Sequence, residues 1–132
     1  MHSTIQIWQA WLDKQDKSIY PDLLFIADLI LNSDAKLFCK MSYGAPFIYR
    51  YGPIGYFTVD KKLGIYFAFY WGKLLVPFDE SGIFHHDDRK MVKLVMLKNR
   101  LSDEDYVGSF LQLLEKALVI DGEKYGKVNL NR

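Results

Sequence analysis

Apolar residues recur at helical spacing from the start of the chain. Ile5, Trp8 and Leu12 line one side, Trp11 lies beside them, and Gln9, Asp13 and Lys14 take the wet side. Pro21 suits the first turn of a second helix, with Asp22 against its positive end. Leu23, Ala27, Ile30 and Leu31 give that helix an apolar stripe. Asn32-Ser33-Asp34 breaks the pattern, and Ser33 is read as the cap of a short third helix carrying Leu37 and Met41. Gly44 ends it and Pro46 forbids its continuation. The period then changes to two. Residues 46–51 set Phe47, Tyr49 and Tyr51 against Ile48 and Arg50, and Gly52-Pro53 marks a turn. Tyr56 and Thr58 next alternate with Phe57 and Val59, up to a charged loop at Lys61-Lys62. Residues 64–71 set Ile65, Phe67, Phe69 and Trp71 against Tyr66, Ala68 and Tyr70, apolar on both sides as in a central strand. Residues 72–90 show no clear period, and a connection of that length either serves a function or hides a short helix. A fourth strand is read at 91–97, with Val92, Leu94 and Met96 facing one way. Ser102 is read as the cap of a last helix with Asp103, Glu104 and Asp105 in its first turn. Its stripe is Tyr106, Phe110, Leu113, Leu114, Ala117 and Leu118, and the polar tail 121–132 is expected to fray. The sum is α+β: N-terminal helices, an antiparallel sheet of about four strands and a long C-terminal helix.

Composition narrows the class without naming a function. A chain of 132 residues reads as a single domain, 1–132, long enough to bury a sizeable core. The formal net charge is +1, so there is no overall field to hold polyanions, which argues against nucleic acid as a partner. The longest apolar run, Leu23 to Leu31, is interrupted by Asp28 and too short to span a bilayer. No basic segment followed by an unbroken apolar stretch opens the chain, so the expected location is cytoplasmic. Cys39 is the single cysteine; it falls in the segment read as helical and is expected to be a small buried hydrophobe. Eleven of the 21 aromatic residues lie between Tyr43 and Gly72. That stretch is either the inside of a sheet or a sheet with one aromatic working face.

The run MSYGAPFIYRYGPIGYFTVDKKLGIYFAFYWGKLL resembles the core signature of the YdhG-like family, a domain of unknown function. The resemblance rests on Tyr43, Gly44, Pro46 and Phe47, then on Tyr70, Trp71, Gly72 and Leu74. KMVKLVMLKNRLSDEDYVGSFLQLLEKAL is similar to the family's last strand and helix, so the resemblance spans about 21–118. It implies a small YdhG-like α+β domain. Some relatives have been proposed as frataxin-like iron chaperones, which implies iron or another metal ion as ligand. Iron binding of that kind uses an acidic ridge, whereas the first helix here offers Asp13 and Asp16, offset by Lys14 and Lys17.

Two constellations carry candidate chemistry. Asp79, Glu80, His85, His86, Asp87 and Asp88 supply the oxygen and nitrogen donors suited to Fe(II), Zn or Mn. The bland alternative is a solvated charged loop running on into Arg89-Lys90. Tyr49, Tyr51, Tyr56, Tyr66 and Tyr70, with Arg50 and Lys73, are candidates for a ligand-binding rim, because phenols need hydrogen-bond partners and favour edges over interiors. Here the alternative is that they pack under helices. No nucleophile elbow and no phosphate-cradling glycine motif occurs. The chain therefore reads as a non-enzymatic binding or accessory protein. Its ligand is a metal ion by resemblance, or a small molecule or protein held on an aromatic sheet face.

Overall fold

The computed structural model describes residues 3–126. A 3-10 turn over Ser3–Trp8 runs into α1, Gln9–Leu12, and buries Trp8 and Leu12. The Asp16 carboxylate accepts from the Ser18 backbone N–H and starts a second 3-10 turn, Lys17–Ile19. This leads into α2, Tyr20–Leu31, with Pro21 in its first turn as the sequence requires. The Tyr20 hydroxyl donates to the Leu12 carbonyl at 2.8 Å and locks α1 onto α2.

The segment after α2 departs from expectation. No helix carries Leu37 and Met41. Phe38–Ser42 is instead β1, paired antiparallel with β2, Ala45–Tyr49. Ser33 caps nothing; its hydroxyl donates back to the Ile30 carbonyl at 2.6 Å. Tyr43 and Gly44 form the connecting two-residue turn, with φ of 53° and 72°. Positive φ at both central residues is the type I′ arrangement, whose twist matches that of paired strands. A sheet of five strands results, where about four were expected.

After β2 come β3, Pro53–Asp60, and β4, Gly64–Phe69. Residues 72–90 hide a short helix, α3, Gly72–Leu75, which tightens into a 3-10 turn over Val76–Phe78. β5, Lys93–Met96, closes an antiparallel meander in the order β1-β2-β3-β4-β5. The last helix, α4, spans Glu104–Asp121. Asp103, not Ser102, is its cap, accepting from the backbone N–H groups of Asp105 and Tyr106.

Alternation divides the sheet into two faces. Cys39, Ile48, Phe57, Phe67, Phe69 and Val95 point to the helices. They pack with Trp8, Leu23, Ile26 and Ile30 on one side and Phe110, Leu113 and Leu114 on the other. Each fully buried large side chain there contributes roughly 1.5–3 kcal/mol, so this layer dominates stability.

The end of α4 is also not as expected. Asp121 does not fray: it is 1% exposed. Its carboxylate accepts from Arg50 Nε at 2.9 Å, from the Gly52 N–H at 2.8 Å and from the Tyr51 N–H at 3.2 Å. Arg50 Nη1 pairs with Asp34 at 2.9 Å, and Nη2 donates to the Leu118 carbonyl. A π-helical turn, Gly122–Gly126, continues the chain. The remainder of the tail expected to fray, 127–132, lies outside the described residues.

Candidate aromatic binding face

The second face of the sheet is formed by side chains one register step away from the core. Strand pairing aligns Phe38 with Tyr49, Lys40 with Phe47, Phe47 with Tyr56, Tyr56 with Ala68 and Tyr66 with Met96. Its buried cluster is Tyr66, Ala68 and Leu94, with Tyr56, Val92 and Met96 packed against it. No helical residue belongs to that cluster. The rings themselves do the covering, together with His85 of the loop before β5, which packs on Tyr66 and donates its backbone N–H to the Leu94 carbonyl.

Phe47 is the hub. Its ring centroid lies 4.7 Å from that of Tyr56 in a stacked pair, 5.7 Å from Tyr49, 6.1 Å from Tyr43 and 6.4 Å from Tyr70. These neighbours leave Phe47 only 3% exposed, while Tyr49, Tyr56 and Tyr70 stay half-buried with their outer edges in solvent. Phe38 extends the row by stacking on Tyr49 at 6.0 Å and is 45% exposed. Offset and tilted pairs at these distances are each worth about 0.5–1.5 kcal/mol beyond burial, so the row is held in one arrangement. Lys40 Nζ sits 4.9 Å from the Tyr49 centroid, and the Ser42 hydroxyl lies 3.3 Å from the Tyr49 hydroxyl. The strand residues on this face include one cation, Lys40, among the rings, and one carboxylate, Asp60, at the far end of β3.

Four of the five expected tyrosines, Tyr49, Tyr56, Tyr66 and Tyr70, share this face. Tyr51 does not. The pairing of β2 with β3 shifts register between Ile48 and Tyr49, and Arg50, Tyr51 and Gly52 turn away from the strand. Tyr51 then lies between Lys36, whose Nζ is 2.9 Å from its hydroxyl, and the Arg50 guanidinium, 4.9 Å from its ring. Arg50 is committed to Asp34, Asp121 and Leu118, and so is a fastening of the fold. Lys73 is exposed on α3, where its backbone N–H donates to the Met91 carbonyl. Strict alternation through 46–51 missed the bulge. Phe38 and Lys40 join the face only because 38–42 is a strand, which a helical reading of 33–44 conceals. Leu37, Cys39 and Met41 do face inward two apart, and that was the available signal.

The candidate metal loop is not assembled. Asp79 turns its carboxylate onto the backbone N–H groups of Ile83 and Phe84, at 2.9 and 3.0 Å. Asp87 caps Arg89 N and pairs with its guanidinium at 3.0 Å, which with those bonds holds its carboxyl below the ordinary range against the opposing effect of burial. The His85 ring packs 5.5 Å from Tyr66, while Glu80, His86 and Asp88 are exposed or partly so in separate turns. Among the described residues, no group of three or more His, Cys, Asp or Glu is placed to hold a metal ion. Asp79 and Asp87 serve the loop's own backbone instead. No helix among the described residues is long and apolar enough to cross a membrane.

The sequence matches no family profile and no curated protein. A solved structure resembles the fold: the crystal structure of a Bacillus subtilis protein of the DUF1801 family, YdhG. The superposition gives a TM-score of 0.64 at 14% identity and covers 89% of this chain and 93% of that one. Strand meander, helix layer and closing helix are thus a shared architecture, and the YdhG-like resemblance carried by Tyr43 to Leu74 is met at the level of the fold.

Proposed function

We propose that this chain is a binding protein whose recognition surface is the aromatic sheet face, and that its partner is another protein. The observation that carries the reading is Tyr43. A bulky residue at φ 53° in a type I′ turn is strained where Asn or Gly would be relaxed, yet Tyr43 is 90% exposed and packs on Phe47 only at 6.1 Å. Burial therefore does not account for the strain, and strain without structural return supports reading this position as part of a site. From Tyr43 the row continues through Phe47, Tyr49 and Phe38 as a rigid strip of rings with phenol tips. Such strips suit protein contacts, where aromatic anchors with few rotamers dominate the binding energy. Lys40, the one cation among these strand residues, asks for a carboxylate on the partner next to an apolar strip.

A display library of random peptides tests this. Selected peptides are expected to carry aromatic or aliphatic residues beside Asp or Glu, and to shift the ring resonances of Tyr49 and Tyr56. Phe38→Ser and Tyr49→Ser should each weaken them about ten-fold or more, and Val119→Ser, on an exposed part of α4, should not. Selected peptides that shift residues elsewhere would sink the proposal. So would sedimentation showing that the face is occupied by a second copy of the chain.

A further inference from the structure

A cavity of about 150 Å3 opens where the β3–β4 hairpin meets the loop before β5. Its polar wall is made by Thr58, Asp60, Tyr66, His85 and Arg89. Tyr66 is 3% exposed, and its hydroxyl has no hydrogen-bond partner among the described residues. A buried phenol left unpartnered is costly, and native folds rarely tolerate one without a reason. Burial pushes its ionisation up, with Asp60 adding and Arg89 opposing, so it stays a neutral hydroxyl, able to accept a hydrogen bond as well as donate one.

Charge decides what belongs beside it. Arg89 is the one cation among the wall residues Lys and Arg, and it is already paired with Asp87 at 3.0 Å. Asp60 takes the backbone N–H groups of Lys62 and Leu63 on one oxygen, at 2.8 and 2.9 Å, and those bonds hold its carboxyl below the ordinary range. Its second oxygen has no partner among the described residues. Lys62 acts on Asp60 only from outside the wall, and the Lys93 ammonium is spent on the Arg89 carbonyl at 2.7 Å. With Asp87 and Arg89 cancelling, the cavity is left with one unbalanced negative charge and two hydroxyls, Thr58 and Tyr66. Asp60 is near enough to Tyr66 to raise its ionisation but is not bonded to it, which leaves room for a bridging group. A metal ion is the wrong bridge, since no three ligating His, Cys, Asp or Glu converge among the described residues. A primary ammonium needs only three acceptors, and hydroxyls serve.

We infer that this cavity binds a small primary alkylammonium ion, its N–H groups on the free oxygen of Asp60 and the hydroxyls of Tyr66 and Thr58, and its alkyl chain against Leu63 and Leu94. The site is separate from the Phe47 row and stands or falls independently of the protein-binding reading.

Propylammonium chloride is the probe. Titration into the full chain should shift the Tyr66 and His85 ring signals saturably, with a Kd on the order of 10 mM for a ligand of so few atoms. Propanol, and sodium chloride at the same ionic strength, should produce no matching shift. Asp60→Asn should weaken the probe about ten-fold or more while keeping an acceptor for the Lys62 and Leu63 N–H groups. Tyr66→Phe, followed on the His85 ring, should weaken it about ten-fold, because the hydrogen bond lost is one to a charged group. The same variant should unfold no more easily than the parent, since it deletes an unpartnered hydroxyl. Phe38→Ser should leave propylammonium binding unchanged. An equal response to propanol or sodium chloride, no saturable shift, or undiminished binding by Asp60→Asn or Tyr66→Phe would each overturn the assignment. So would weakened binding by Phe38→Ser, which would put the probe on the ring row. A destabilised Tyr66→Phe would show that the hydroxyl is structurally engaged, and would overturn it as well.

Discussion

At the scale of single residues, local conformational rules and retained side chains disagree most sharply at Tyr43. Relaxing the type I′ turn with Tyr43→Asn should raise stability by about 0.5–1 kcal/mol, because Asn tolerates positive φ and little ring contact is lost. Urea midpoints measure that gain. The same substitution should weaken the peptides selected on the aromatic face, separating stability from recognition. Gly55 shows the opposite situation. It pairs with Phe69, and a Cβ there would collide with the Ala68 carbonyl and the Phe67 ring. Gly55→Ala should therefore cost about 1–3 kcal/mol by overpacking, read as a lower midpoint with an unchanged denaturant slope.

At the scale of elements, the α4 terminus is fixed by charge as much as by packing. Asp121→Ala leaves the Arg50 guanidinium, 12% exposed, with Asp34 and one carbonyl, and strips the Tyr51 and Gly52 N–H groups of their acceptor. Removing one partner of a buried pair typically costs about 3–5 kcal/mol, so thermal unfolding should shift down strongly. A double variant with Arg50→Met should recover part of that loss. Elements with a clean period were legible from sequence: α2 and α4 from their stripes, β3 and β4 from alternation between turns. β1 was not, because Leu37 and Met41 lie four apart and satisfy a helix as well as a strand. Phe38, an apolar side chain on the outward face, hid the alternation that would have decided between them. For the same reason the binding face was only half legible. Its tyrosines followed from the β2–β4 pattern, while Phe38 and Lys40 depended on a strand not yet recognised. The Tyr51 excursion and the Arg50–Asp121 pair come from a bulge and a contact between residues 71 apart, which no local pattern encodes.

At the scale of the whole molecule, a net charge of +1 makes individual pairings, rather than overall repulsion, set the response to pH. The carboxyls of Asp16, Asp34, Asp60 and Asp87 are held below the ordinary value of 3.8, Asp16 chiefly by the Ser18 backbone N–H. For Asp34 and Asp60 backbone hydrogen bonds are the largest cause, whereas Asp87 is lowered by Arg89 in spite of burial. Unfolding returns each to its ordinary value, so the unfolded chain binds protons first as acid is added. The stabilisation is complete above 3.8 and is lost as pH falls through the lowered values. Asp22, raised by burial, acts in the opposite sense. Denaturant midpoints at about pH 7, 5 and 3 should show a plateau and then a fall, the four lowered groups outweighing the single raised one.

The Asp121 contact also imposes an order of events on the growing polypeptide. The turn after β2 is complete early in synthesis, yet the carboxylate that neutralises Arg50 and caps that turn arrives 71 residues later. Phe110, Leu113 and Leu114, which close one side of the helix layer over Phe67 and Phe69, arrive nearly as late. Until then the ribosome carries a sheet with greasy rings showing on both sides. Completion of the last helix, and not translation of the strands, is therefore the step expected to bury Phe67 and Phe69 and end their exposure to aggregation.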